Sequence, residues 1–260
     1  MRLNATALRL AYTSSGVPKG VTLLSGESVA AKRAIVSNLT IWDTYGKLIG
    51  PERTPSEVRA RLKSLRGWGR YSIHLGLRQD AASSLVADHF IGALKCDEPG
   101  VSSTEESLFM LSVAPAWDSR APKGQRAATI SKLVNVDQWF AFHDDESQHE
   151  RQDDETLEAW WGCLSRAFPE ELSASEIIET STPLTLYEST RRKLGMAGAP
   201  SFVTSSSLGR DFASFTHRTS LRNLFMVGDT VFPGQGAAAV SHSALIVANE
   251  ITKSPRRSKG

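Results

Sequence analysis

The sequence predicts a mixed α/β protein, and three observations carry that prediction. Residues 70–78 alternate, with Tyr71, Ile73, Leu75 and Leu77 on one face and Ser72, His74, Gly76 and Arg78 on the other. That is the period of a half-buried strand. Leu157, Trp160, Trp161, Leu164 and Phe168 recur instead at helical spacing. Near the C-terminus an apolar run, 223–227, meets Gly228-Asp229 and a Pro233-Gly234-Gln235-Gly236 turn, and a helix of small residues then runs to about residue 252.

The remaining elements follow in order. Residues 7–12 and 20–24 read as short strands around a Ser14-Ser15-Gly16 turn, and Ser25-Gly26-Glu27 makes the next turn. Ala34-Ile35-Val36 fits a short buried strand. Ile41, Tyr45, Leu48 and Ile49 mark a helix over 40–49, with Thr40 and Asp43 resembling a capping box. A second helix is expected after Thr54 as cap, with Pro55 at its first position, Glu57 three residues after the cap, and Val58, Leu62 and Leu65 on one face. Strands are expected at 107–113, 127–134 and 176–180. The polar, acidic run 143–155 reads as a solvated loop, and Asp153, Asp154 and Glu155 then sit at the positive end of the helix that Pro169 stops. Thr182-Pro183 opens a helix that ends at Gly195, and residues 199–220 are loop-like. The tail from Lys253 to Gly260 is basic and reads as disordered.

Composition narrows the function classes. The chain has 260 residues, 40% of them hydrophobic and 22% charged, with a formal net charge of +2. It is long enough for a real core, and the balance of charge does not announce nucleic-acid binding. Two cysteines, Cys96 and Cys163, exclude a disulfide scaffold and a four-cysteine zinc site and point to a reducing compartment. No run approaches the roughly 18 apolar residues of a membrane span, and the N-terminus has no signal-peptide core. The expected location is cytoplasmic or peripheral to a membrane, with at most peripheral contact through the basic tail. His143 and His149 lie six apart among carboxylates, not at the spacing of a helical zinc pair, so no metal site is assigned.

The segment from Leu224 to Ala248 carries the chemistry. A strand ending in glycine lets a ligand approach the backbone closely. The following Asp229 can accept hydrogen bonds from sugar or ribitol hydroxyls. Gly234 and Gly236 expose peptide N–H groups where a helix starts and its dipole favours negative charge. Gly234 to Ala239 formally matches G-x-G-x-x-A, but no second strand and acidic residue follow about 20 residues on, as a dinucleotide fingerprint requires. No Ser-His-Asp or Cys-His motif stands out, and no catalytic residue is assigned.

Leu224-Phe225-Met226-Val227-Gly228-Asp229-Thr230-Val231-Phe232-Pro233-Gly234-Gln235-Gly236, with Ala239-Val240 and Ser243, resembles the C-terminal flavin motif of the phytoene desaturase family. Gly-Asp before Phe-Pro-Gly-Gln-Gly is most similar to its carotenoid cis–trans isomerases of the prolycopene isomerase type. Four further segments resemble the family in the same order: Gly16 through Gly26 to Asn38, the strand from Tyr71 to Leu77, the loop from Ser112 to Gly124, and Thr182-Pro183 with Gly195 and Gly198.

That resemblance implies the C-terminal portion of an FAD-dependent oxidoreductase acting on a long apolar polyene, by desaturation or cis–trans isomerisation. Residues 1–39 and 200–260 would be the remnant of a glutathione-reductase-like FAD domain. Residues 40–199 would be a substrate domain with an antiparallel sheet and covering helices. The family's strand–GxGxxG–helix has no counterpart in this sequence. The resemblance therefore implies a truncated or split frame, or a partner chain that supplies the nucleotide-binding half. The rival expectation is a non-catalytic remnant that binds a partner or an apolar ligand. FAD is the implied cofactor, held by Gly228, Asp229, Pro233, Gly234, Gln235, Gly236, Ala237 and Ala238. Tyr71, Ile73 and His74 lie on the strand implied to line the substrate site.

Overall fold

The computed structural model describes residues 1–85, 87–94, 108–140, 145–173, 175–202 and 215–253. They fall into two compact units: residues 1–67 with 197–260, and residues 68–196. In chain order the first unit opens with β1 (Ala7–Tyr12), β2 (Pro18–Leu23) and β3 (Ser28–Ala30). These form an antiparallel meander in that order. Gly16 and Gly26 make its turns at φ +78° and +87°, a region that glycine enters without steric cost. β4 (Ile35–Ser37) follows. It is not the buried strand that its composition predicts, because Val36 is 46% exposed.

Helix α1 opens at Ile41–Asp43 and widens into π-helical turns over Thr44–Ile49. Thr40 caps it as expected, accepting from the Asp43 backbone N–H and donating to Asp43 Oδ2 at 2.7 Å. α2 (Ser56–Ser64) has Pro55 at its cap position. Thr54 is not its cap. The Thr54 hydroxyl turns back to the carbonyls of Tyr45 (3.1 Å) and Gly50 (2.8 Å), satisfying the end of the preceding helix instead.

The second unit contains β5 (Leu65–Arg78, which begins in the first unit), α3 (Gln79–Ser84), β6 (His89–Ala93), β7 (Leu108–Val113) and β8 (Gln125–Asn135). It continues with α4 (Val136–Phe140), α5 (Glu146–Ala167), α6 (Pro169–Ser173), β9 (Ser175–Ser181) and α7 (Pro183–Thr190). Its antiparallel sheet runs β5-β8-β7-β6, with β9 on the other side of β5. β5 is therefore central. On its second face Ser72 (2% exposed) and Gly76 are buried and His74 half-buried, while Arg70 and Arg78 are exposed, so the half-buried expectation holds at both ends of 70–78 and not in the middle. Tyr71, Ile73, Leu75 and Leu77 join Phe109, Leu111, Ile130, Trp160 and Leu164 in one apolar core. Each of these large side chains contributes about 1.5–3 kcal/mol by burial.

α5 starts far earlier than its apolar period announces. Asp145 caps it by accepting from the Gln148 N–H, so residues 146–155 are helix rather than loop, and Asp153 to Glu155 lie within it rather than at its positive end. α7 keeps its expected Thr182 cap, with Thr185 completing a capping box, but stops at Thr190. A single 3₁₀ turn, Lys193–Gly195, follows.

The chain returns to the first unit with β10 (Ala197–Phe202), where a loop was expected, then β11 (Leu224–Met226) and α8 (Ala237–Lys253). The units divide at 67/68 and 196/197, against the expected 39/40 and 199/200. The shift has a packing cause. Ile41 N–H donates to Thr230 Oγ1, the Trp42 indole donates to Leu62 O, and Tyr45 and Arg61 both rest against Phe215. Cys163 is buried; Cys96 lies outside the described residues, as do His143 and residues 254–260 of the tail. No described helix is long and apolar enough to cross a membrane.

Candidate functional site

β4 and β11 pair in parallel, Ile35 beside Leu224, Val36 beside Phe225 and Ser37 beside Met226. Both strands therefore end at the same edge, where Asn38 and Gly228 leave the sheet. Val227 N–H donates to Ser37 O at 2.9 Å and closes that end. Two further hydrogen bonds fix the loop that follows. Gly228 N–H donates to Ser243 Oγ on α8 (3.3 Å), and the buried Thr230 hydroxyl accepts from Ile41 N–H (3.1 Å). The loop is thus held from both sides by helices that start beside it.

The expected cofactor residues all lie on this loop and the first turn of α8. Gly228, Gly234 and Gly236 have φ of +115°, +113° and +95°, so a side chain at any of them would be strained. A Cβ on Gly236 would meet nothing within 4 Å. The space there is open, so Gly236 serves backbone conformation and leaves room for a ligand. Gly234 is buried, while Pro233, Gln235, Ala237 and Ala238 are exposed. Asp229 is half-buried and has a partner within the chain. Val240 N–H donates to Gly236 O at 3.0 Å, the first bond of the helix ladder. The N–H groups of Ala237, Ala238 and Ala239 precede it and have no intrahelical acceptor. Donors on an exposed helix start, beside a carboxylate, suit the carbonyl-rich pyrimidine edge and the hydroxylated ribitol of a flavin.

The sequence reading missed His217. Its carbonyl accepts from Met226 N–H at 2.7 Å, and its ring meets Phe232 edge-on. Imidazole Nδ1 is buried with no partner among the described residues. Burial pushes its pKa below the ordinary histidine value. A single histidine in a Ser- and Thr-rich stretch gives no sequence signal of this.

Strand alternation in the second unit separates the residues expected to line the substrate site. Tyr71 and Ile73 are fully buried in the core, with Tyr71 stacked on Trp139 and edge-on to Trp160. His74 projects from the opposite face. Its Nδ1 lies 3.1 Å from Thr129 Oγ1 and its Nε2 2.9 Å from Ser181 Oγ. His149 is on α5, 3.1 Å from Thr182 Oγ1, with its ring against Trp139. No group of three metal-ligating side chains occurs among the described residues.

No family model matches the chain. Solved structures share its architecture. An oxidoreductase from Methanosarcina mazei superposes with a TM-score of 0.59 at 13% identity, over 94% of this chain and 49% of that one. A Pyrococcus furiosus protein gives 0.56 at 13% identity, over 98% and 47%. By fold the chain corresponds to about half of the mixed α/β architecture of that oxidoreductase. Sequence comparison is more specific. The chain is 30% identical over 243 residues to the chloroplastic prolycopene isomerase of Daucus carota, covering 91% of this chain and 38% of that protein. The Arabidopsis thaliana protein of the same name is 29% identical over 240 residues, covering 91% and 39%. Prolycopene isomerase 2 of an Oncidium hybrid is 29% identical over 259 residues, covering 96% and 41%. The resemblance carried by the Leu224–Ser243 segment stands: over more than nine tenths of its length the chain is homologous to prolycopene isomerases. It spans about two fifths of the length of these relatives.

Proposed function

We propose that this chain forms part of an FAD-dependent oxidoreductase that isomerises or desaturates a long apolar polyene, and that it holds the flavin-ring and ribitol end of the cofactor. The observation that carries the reading is the convergence of Gly228-Asp229 and the N-terminal amides of α8 at the carboxyl ends of β4 and β11. Ligands of open parallel sheets bind at that end. Asp229 accepts hydrogen bonds from ribitol hydroxyls. The amides of Gly236, Ala237 and Ala238 orient the pyrimidine edge and stabilise negative charge there. Gly228, Gly234 and Gly236 give the backbone its close approach, and Thr230 and Ser243 hold the loop in place. The flavin, when bound, supplies hydride acceptance and return, so no protein nucleophile is required.

The isomerase version is favoured by the Gly228-Asp229 and Phe232-to-Gly236 pattern and by the names of the matched relatives. In that version the polyene changes geometry without net oxidation. Incubation with a poly-cis polyene, FAD and a reductant is expected to give a new geometric isomer of unchanged mass. In a parallel incubation with oxidised FAD, a quinone as electron acceptor and no reductant, loss of two hydrogens would select desaturation. The cofactor assignment is tested by fluorescence titration of FAD with the purified chain and with Asp229→Ala. The substitution is expected to weaken binding roughly tenfold, the worth of a hydrogen bond to a charged group. Equal affinity removes Asp229 from the site. Absence of binding by the unaltered chain overturns the assignment of the flavin to this loop.

A further inference from the structure

The net charge of +2 conceals a separation. Residues 1–67 and 197–260 carry 18 Lys and Arg against 7 Asp and Glu, a net +11. Residues 68–196 carry 12 against 21, a net −9. Each excess has a focus. In the first unit a cleft of about 1150 Å³ opens at the end of β4 and β11 opposite the Gly228–Gly236 loop. Lys32, Arg33, Arg218, Arg222 and Lys253 line it with a single carboxylate, Glu250, which pairs with Arg218. All five cationic residues are exposed.

In the second unit the focus is α5. Glu146, Glu150, Asp154 and Glu158 recur every fourth residue along one exposed face, with Glu155 beside them. Arg151 and Arg166 are the helix's basic residues. Like charges at i, i+4 disfavour a helix, and cationic surface from outside relieves that repulsion. From Glu146 to Glu158 the stripe runs about 18 Å along the helix axis. The named side chains of both surfaces are exposed.

We infer that the chain self-associates head to tail, the basic cleft of one copy receiving the acidic face of α5 from a second copy. An anionic bilayer or a nucleic acid would match the cleft but would repel the acidic unit. A second copy brings both signs at once. The contact is heterologous, joining two different patches, so it chains onward or closes according to its rotation.

The test is sedimentation velocity of the full chain, without cofactor or polyene, so its outcome is independent of the proposed activity. Association is expected at about 50 mM salt and its loss at about 500 mM, where the screening length falls to a few ångströms. Lys32→Glu with Arg222→Glu and Lys253→Glu should weaken association roughly tenfold or more, as should Glu150→Lys with Asp154→Lys and Glu158→Lys. All six side chains are exposed, and an unchanged far-UV spectrum and Tm verify each fold. The decisive step mixes the two variants. The reversed cleft of one now matches the reversed helix of the other, and a heterotypic complex is expected. A chain that stays monomeric at low salt, or variants that fail to recover on mixing, overturns the inference. Binding of phosphatidylglycerol vesicles or an oligonucleotide through the cleft, without self-association, overturns it in favour of that ligand.

Discussion

The Tyr71 side chain is fully buried, and its hydroxyl donates to Asp153 Oδ1 at 2.6 Å while Thr180 donates to Asp153 Oδ2 at 2.6 Å. One carboxylate therefore ties central strand β5 and edge strand β9 to α5. Burial, then the hydrogen bond and charge of Asp153, push the phenol's pKa well above its ordinary value. Ionisation is thus easier in the unfolded chain than in the folded one. The stabilisation is fully present below the unfolded pKa of about 10 and falls as pH rises beyond it, by about 1.4 kcal/mol per pH unit. Tyr12 and Tyr45 are also raised by burial, so the informative quantity is a difference. Urea unfolding at about pH 9 and pH 11 should show the native chain losing more stability across the interval than Tyr71→Phe. Equal losses would place the ionising group elsewhere. At neutral pH the same substitution is expected to cost roughly 1–2 kcal/mol for the lost bond to a charged acceptor.

At the scale of elements, Gly195 shows a constraint that the sequence displayed without its cause. The Thr182-Pro183 cap and the glycine that follows α7 both belong to the segment resembling the family pattern. The structure supplies the reason. Gly195 has φ +56°, and a Cβ there would lie 1.8 Å from the Pro183 carbonyl oxygen, a backbone atom that cannot swing aside. Gly195→Ala should therefore cost more than about 3 kcal/mol, clash and left-handed strain together. A fall of less than about 1 kcal/mol in urea unfolding would show that the turn relaxes freely. The turns at Gly16 and Gly26, the Thr40 and Thr182 caps and the start of α8 were legible because each rests on local chemistry. The start of α5 was not. Its cap signal was present, Asp145 with Gln148 three residues on, but the apolar period begins only at Leu157. The intervening charged turns draw their support from Tyr71, Thr180 and Thr182 on other elements. Burial of Ser72 on the second face of β5 was hidden for a related reason, since its hydroxyl is satisfied against Ser131 across the sheet at 2.9 Å. The candidate cofactor loop was readable as glycine, aspartate and helix start. The parts that fix it, Thr230 to Ile41 and Gly228 to Ser243, link residues too distant in sequence for local pattern to pair them.

For the whole molecule, segregation of charge matters more than its sum. A net +2 suggests weak intermolecular forces, but one unit carries +11 and the other −9, so each copy offers both a strongly positive and a strongly negative body. Attraction between oppositely charged units of different copies acts over a Debye length, about 10 Å at 0.1 M salt, and fades as salt rises. Static light scattering near pH 7 should accordingly give a negative second virial coefficient at low salt that moves toward zero as salt increases, with solubility rising in parallel. This holds with or without a specific contact, so a control of equal charge change separates the two. Arg59→Glu with Arg61→Glu and Lys63→Glu removes three positive charges and adds three negative ones on α2, as the triple reversal does in the cleft. Both variants lower the net charge of the first unit by six, from +11 to +5. If attraction is set by the charge of each unit alone, the two should shift the virial coefficient alike. If the cleft receives α5, the cleft variant should abolish the discrete complex, whereas the α2 variant should weaken attraction while leaving that complex detectable by sedimentation.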